Sequence, residues 1–214
     1  MARCGFQTTV VPYPVESPAD TEPDIAPAAF THLLVAGGAR MDKGFGRVVD
    51  LVEEMQRRGM TLPIVVQTTC EPRHLQDSEL ARSLARLRRS NYAGLSLRDE
   101  ALGPMAYRAL FEGAVVIQPY RASDFSDRVS GVTLDALAGG APVVTTEGTW
   151  MARLASQTGA GVATADLSAD GLLRAIQTVL SDPGGFAARA RMASARVRGE
   201  HSARVVIDAV LAGA

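Results

Sequence analysis

"VAGGARMDKGFGRVV", residues 35–49, is the stretch on which the fold turns. An apolar run, "HLLVA" (32–36), leads into the glycine pair Gly37-Gly38, and an amphipathic stretch follows from about Gly44. Strand, tight turn and helix in that order open a βαβ unit. Between the glycines and the helix stand Arg40 and Lys43. A helix N-terminus offers unpaired N–H groups and partial positive charge. Arginine adds a planar fork and lysine a point charge. Together they suit a diphosphate, whose negative charge is spread over several oxygens. The competing reading is a surface turn whose Arg40 and Lys43 face only water.

Outward from this turn the pattern repeats. Strand-like runs follow at 62–67, 92–97, 114–119, 142–146 and 161–165, and helix-like stretches at 44–58, 76–89, 103–111, 130–139, 148–157 and 169–181. A last helical stretch runs from 184 to 212. The alternation predicts an α/β fold: a Rossmann-like parallel sheet of about six strands with helices on both faces, since crossovers between parallel strands are right-handed. Ligands of such sheets bind at the carboxyl ends of the strands. "TTVVPYPV" (8–15) is a further short strand-like run, and "ESPADTEPDIAPA" (16–28) reads as a Pro- and acid-rich linker. The expected organisation is an N-terminal segment and linker at 1–28, a Rossmann-like domain at 29–183 and a C-terminal helix at 184–214.

Composition narrows the function classes. The formal net charge of −1 argues against a general nucleic-acid or anionic-membrane binder. The arginines between Arg82 and Arg89 are interleaved with Leu84 and Leu87 and read as the solvated face of a helix. Cys4 and Cys70 have no metal or disulfide spacing and read as free thiols. His32, His74 and His201 are scattered, which favours structural roles, so no metal site is expected. No apolar run reaches the roughly 18 residues of a membrane span, and the N-terminus lacks a signal-peptide core, so the expected location is cytoplasmic.

Familiar nucleotide motifs are missing. Gly44 and Gly46 are followed by Val49, so no G-x-G-x-x-G is present, and no Walker loop occurs. The short-chain dehydrogenase loop would need glycine where Arg40 stands. That fold's Tyr-x-x-x-Lys is absent too, since Tyr107 leads to Phe111 and Tyr120 to Asp124.

The second informative loop follows the strand "AVVIQPY". Ser130 is a plausible N-cap for a helix beginning at Gly131, where a ligand can approach the backbone closely. Asp127 precedes this helix and Asp135 lies inside it, eight residues on. Two carboxylates there suit sugar or ribose hydroxyls, while the helix N–H groups suit a phosphate. The alternative is that Asp127 solvates a loop and Asp135 faces water, though Asp135 interrupts an otherwise apolar stretch, Leu134 to Ala138.

With both loops in view, residues 32–165 resemble the donor-binding half of a retaining glycosyltransferase of family 4, with the two-Rossmann-domain (GT-B) fold. "GGARMDKGF" (37–45) is similar to the family's glycine–arginine–lysine–glycine loop, "YRALFEGAVVIQPY" (107–120) to the segment ending in Pro-Ser or Pro-Tyr, and "DRVSGVTLDALAGGAPVVTTEGTW" (127–150) to its acidic motif. The resemblance implies that Arg40 and Lys43, at the Gly37-Gly38 turn, grip the donor diphosphate and stabilise the leaving nucleotide. Asp135 would hold the ribose and Asp127 the donor sugar. Ser130, Gly131, Val132 and Thr133 would offer backbone or hydroxyl donors to phosphate. No cofactor and no metal are implied, because the cations neutralise the leaving group; the nucleotide diphosphate-sugar is a substrate.

Two departures from the family's pattern matter. The family carries glutamates where this chain has Asp127 and Asp135, and aspartate reaches about 1.5 Å less. Either the backbone compensates, or the donor sugar differs, or activity is degraded. The family also has an N-terminal acceptor domain, of which residues 8–15 resemble only the crossover segment, so a truncated relative or a separate acceptor-domain chain is an open expectation. The acceptor would be a hydroxyl, on a saccharide or lipid-linked saccharide. The alternatives are a non-catalytic nucleotide-sugar-binding subunit, an inactive interaction domain, and a nucleotide-sugar epimerase on the same fold, which would want a histidine near the sugar.

Overall fold

A computed structural model describes residues 11–15, 29–74 and 76–212. The linker expected at 16–28, Cys4 and the first part of the strand-like run at 8–15 lie outside the described residues.

The six apolar runs from residue 32 onward each contain a strand: β1 (His32–Val35), β2 (Ile64–Gln67), β3 (Leu95–Arg98), β4 (Ala114–Gln118), β5 (Val143–Thr146) and β6 (Gly161–Thr164). All pair in parallel, in the order β3-β2-β1-β4-β5-β6. Side chains alternate across the sheet, and the core divides accordingly. Leu33, Val115, Ile117 and Val144 enter one cluster, while their neighbours Leu34, Val116 and Val143 enter another. Runs that are apolar at successive positions are what a parallel sheet covered on both faces demands.

The first cluster is closed by α1 (Phe45–Arg57), α2 (Ser78–Arg88) and α7 (Ala169–Ser181). In α1, Phe45, Val48, Val49, Leu51, Val52 and Met55 are buried, a stripe of helical period. Aspartate and serine side chains start the other two: Asp77 accepts from the N–H groups of Glu79 and Leu80, and Ser168 from that of Gly171. The opposite cluster is closed by α3 (Pro104–Ala109), α5 (Gly131–Ala138), α6 (Trp150–Thr158) and α8 (Pro183–Glu200). Arg86 pairs with Asp50 and Glu53, and Arg88 with Asp99, which makes the arginine run a solvated helix face.

Four local features differ from the sequence expectations. A short helix, α4 (Ala122–Phe125), occupies the loop after β4, and Pro72–His74 forms a 3-10 turn. The final stretch is two helices, not one: α8 stops at Glu200, and α9 spans Ala203–Ala212. His201 makes the break, donating from Nδ1 to the Tyr13 carbonyl at 2.8 Å and accepting the Val15 N–H on its own carbonyl at 2.8 Å. Residues 11–15 are therefore irregular chain pinned to the C-terminal helices, not a strand.

Candidate functional site: the switch point between β1 and β4

The sheet reverses direction between β1 and β4, so the loops after these two strands diverge and leave a crevice at their carboxyl ends. They are the two loops singled out in the sequence. The cavity at this point is small, about 10 Å3, and is lined by Gly37, Gly38, Arg40 and Lys43 of the first loop and by Tyr120 of the second. A larger and more open depression lies beside α6, along Glu147, Thr149, Arg153 and Gln157.

The turn after β1 is fixed by glycine geometry. Gly37 takes φ +85°, donates its N–H to Gln67 Oε1 at 2.6 Å, and leaves room where a Cβ would come within 2.9 Å of Lys43 Nζ. Gly44, at φ +71°, is the N-cap of α1, and a Cβ there would lie 2.0 Å from the Pro119 carbonyl oxygen. Only glycine admits both the left-handed backbone and that contact. The approach locks the first loop onto the second, and the Arg121 N–H donates to the Asp42 carbonyl at 2.9 Å.

Lys43 is half-buried, its ammonium 5.7 Å from the centre of the Tyr120 ring. Burial lowers its pKa from the ordinary lysine value. Arg40 and Arg128 push the same way, against the raising influence of Asp42 and Glu71. Arg40 is half-buried too and forks onto Asp42, with Nε 2.9 Å from Oδ1 and Nη2 on Oδ2. The turn therefore does not present two cations to bulk water. It holds them close together, partly desolvated.

In the second loop Ser130 is the N-cap of α5, accepting the Thr133 N–H at 3.3 Å. The Thr133 hydroxyl donates to Gln118 Oε1 at 2.9 Å, and the side chain is fully buried. Thr133 thus braces the helix start against β4, with its hydroxyl and N–H both bonded within the protein. The Ser130 hydroxyl is likewise engaged. The remaining first-turn N–H groups are those of Gly131 and Val132, which an α-helix leaves without internal partners. Tyr120 is fully buried beside them, and burial pushes its phenol up to about 12 against the lowering hydrogen bonds of Gln118 and Ser130.

The two acidic residues have opposite surroundings. Asp135 is half-buried and accepts a hydrogen bond from the Tyr107 hydroxyl at 3.1 Å. Burial raises the Tyr107 pKa, with the Asp135 charge adding to it. Asp127 is 88% exposed and pairs with Arg153 of α6 at 3.0 Å. Its eight-residue separation from Asp135 spans the turn into α5, so the two do not share a face.

Sequence reasoning missed Asp42, Gln118, Tyr107 and Arg128. An acid between two cations in "RMDK" was a visible sign for Asp42. Nothing local connects Tyr107 to Asp135, which lies 28 residues on. Two of the three histidines lie elsewhere, His32 bonding the Leu110 carbonyl at 3.0 Å and His201 at the α8–α9 break, and His74 ends the 3-10 turn after β2. Among the described residues, no group of three or more His, Cys, Asp or Glu side chains is placed to hold a metal ion. No helix among them is long and apolar enough to cross a membrane.

No family profile and no curated protein matches the sequence. Solved structures do match the fold. A sucrose-phosphate synthase from Thermosynechococcus elongatus superposes with TM-score 0.66 at 18% identity, over 94% of this chain and 48% of that one. Anabaena HepE, solved in complex with UDP and glucose, gives 0.65 at 16% identity, over 90% and 52%. WaaG, a glycosyltransferase of lipopolysaccharide biosynthesis, gives 0.62 at 16%, over 93% and 54%. The chain thus spans about half the length of these structures. Its six-stranded parallel sheet with helices on both faces is a Rossmann-like fold, similar to the half of each of these structures that it covers.

Proposed function

We propose that this chain is the donor-binding domain of a cytoplasmic glycosyltransferase that moves a glycosyl group, with retention, from a nucleotide diphosphate-sugar to an acceptor hydroxyl. The observation that carries the reading is the convergence of half-buried Lys43 and Arg40 on the switch-point crevice, where Lys43 Nζ and Val132 of α5 both lie against Gly37. A partly desolvated lysine beside two arginines is costly in an empty site, and a bound diphosphate removes that cost.

In this reading Lys43 and Arg40 take the diphosphate oxygens, and the N–H groups of Gly131 and Val132 share them. As the bond to the sugar breaks, negative charge grows on the leaving diphosphate, and prearranged cations in a low-dielectric crevice stabilise it most there. Asp135, oriented by the Tyr107 hydroxyl, holds the ribose hydroxyls. Asp127 reaches from the exposed lip of α5 toward the sugar. The acceptor is presented by a second lobe, on the same polypeptide or on a partner chain. Positioning of that kind is worth about 7–11 kcal/mol of barrier at most.

The test is calorimetric titration with UDP, GDP and ADP and their glucose conjugates. Binding of a diphosphate at micromolar to millimolar Kd, weakened about ten- to a hundredfold by Lys43→Ala, is the expected result. A chain that binds none of the six, or whose Lys43→Ala variant binds as well as the parent, overturns the reading. Retention is checked by the anomeric configuration of the product in the presence of an acceptor lobe.

A further inference from the structure

Arg128 is absorbed by none of the roles above, yet its position is built from both loops. Its guanidinium lies 4.7 Å from the centre of the Phe125 ring, and Phe125 is buried on α4. The Phe125 ring lies 4.7 Å from the Tyr120 ring, centre to centre, and Tyr120 is the ring beside the Lys43 ammonium. The two cations, 85 residues apart in the chain, therefore lean on one aromatic pair. Arg128 also reaches across to the first loop, Nη1 to Asp42 Oδ2 at 3.4 Å, the same carboxylate that holds Arg40.

We propose that Arg128 is a third anion-binding cation of this site, held on the Phe125 ring and tethered by Asp42 until a diphosphate draws it from that tether onto a phosphate oxygen. This rests on the reading of the crevice as a diphosphate site and adds a residue to it.

The geometry leaves Arg128 free to act. Stacking occupies the face of the guanidinium, and its five N–H donors lie at the edge. The Asp42 contact is long, where an ideal charged N–H···O bond runs about 2.7–2.9 Å. The side chain is 49% exposed, against 22% for Asp42, so it can shift toward a ligand without disturbing the core. Arg128 also stands close enough to Lys43 to lower its pKa, which places the two in one field.

The experiment compares the parent with Arg128→Ala, Arg128→Lys and Lys43→Ala, titrated with UDP, GDP and ADP and with the parent nucleosides, at low and high salt. Arg128→Ala is expected to weaken diphosphate binding about five- to tenfold. It leaves nucleoside binding unchanged and makes the diphosphate affinity less sensitive to salt. Arg128→Lys restores part of the loss, as a point charge without the fork. Arg128→Gln repeats the Ala result if the latter variant folds poorly, as read by its melting temperature. If Lys43→Ala loses affinity while Arg128→Ala and Arg128→Gln do not, the proposal for Arg128 is overturned and the diphosphate site stands. If the Arg128 variants weaken nucleoside and diphosphate alike, the residue is a scaffold and not an anion ligand, which also overturns it. If the parent binds no diphosphate, the site and this residue's role in it fall together.

Discussion

In the turn after β1, Arg40 is paired with Asp42 but Lys43 is partly desolvated beside other cations; in the helix start after β4, each described polar side chain has a complementary neighbour. Lys43 is partly desolvated with Arg40 and Arg128 beside it, and only Asp42 and Glu71 relieve the repulsion. Across the crevice, Ser130 caps Thr133, Thr133 donates to Gln118, and Tyr107 donates to Asp135. One side of the site is held at a cost to folding, and the other contributes to folding. An arrangement that costs stability in the free protein points to a ligand that repays it. An arrangement already satisfied serves to hold the first in place. The same kind of substitution should therefore have opposite effects on the two sides.

Lys43→Met is the sharpest test. It replaces the ammonium with an apolar chain of similar length beside Phe45, Val48 and Tyr120. Diphosphate affinity is expected to fall about ten- to a hundredfold. Stability in the absence of ligand should rise by about 0.5–2 kcal/mol, read from urea unfolding. A variant that loses both would show that Lys43 holds the turn together and that the contrast is false. The pH dependence carries the same sign. Because the folded-state pKa of Lys43 is lowered, the unfolded chain binds more protons between that value and the ordinary one, and stability rises with pH through that window. Over the same window the ammonium is lost, so diphosphate affinity falls as pH rises, beginning below the usual lysine range. Lys43→Arg, which cannot lose its proton there, should flatten the affinity profile.

Thr133→Val makes the reverse case. It is nearly isosteric, but it strips Gln118 Oε1 of its donor where Gln118 is 1% exposed. Stability should fall by about 1–3 kcal/mol, the cost of a buried acceptor left unpaired. If urea unfolding shows no loss, the satisfied network does not support α5.

The contrast also explains what the sequence could reveal. The four inner strands were legible as runs of residues facing both covered sides of the sheet, the half-buried edge strands β3 and β6 as short apolar runs, and the helices between them by one-sided periodicity. Arg40, Lys43 and Asp127 stood out as charges in the loops after such runs, and Asp135 as a charge inside an apolar helix. The strand order was not legible: β1 beside β4 is a long-range choice made by packing, and it is what brings the two loops together. The partners followed from that choice. Tyr107 meets Asp135, and Arg128 meets Asp42 across 86 residues, with no local pattern to announce either. The break at His201 escaped notice because "ARVRGEHSARVV" keeps helix-forming residues on both sides. The interruption coincides with hydrogen bonds to residues 13 and 15.

Tyr107→Phe probes the satisfied side more gently. It removes one hydroxyl from a half-buried carboxylate that keeps the rest of its surroundings. The expected loss of stability is about 0.5–1.5 kcal/mol. Nucleoside diphosphate binding should weaken less than in Asp135→Asn, since the carboxylate remains and only its orientation is freed. An equal loss in both variants would place Tyr107 itself on the ligand.

Asp127→Asn should have the smallest effect of all, and only on one ligand. Its carboxylate is 88% exposed, and Arg153, its partner, is 50% exposed. Ion pairs between solvated side chains contribute about 0–1 kcal/mol, so the substitution should move stability by less than about 0.5 kcal/mol. The Asp127 carboxylate pairs with Arg153, whereas Asp42 is the carboxylate in contact with Arg40 and Arg128. A bare nucleoside diphosphate should therefore bind the variant as it binds the parent. A sugar-bearing donor extends beyond the phosphates, toward the exposed lip where Asp127 and Arg153 meet. There the amide loses the charge that strengthens a hydrogen bond from a sugar hydroxyl, and affinity should drop about three- to tenfold. Paired titrations of UDP against UDP-glucose, and of the GDP and ADP pairs, measure the difference directly. Equal losses for the bare and sugar-bearing ligands would move Asp127 into the phosphate site, and unchanged affinity for both would leave it a partner of Arg153 alone.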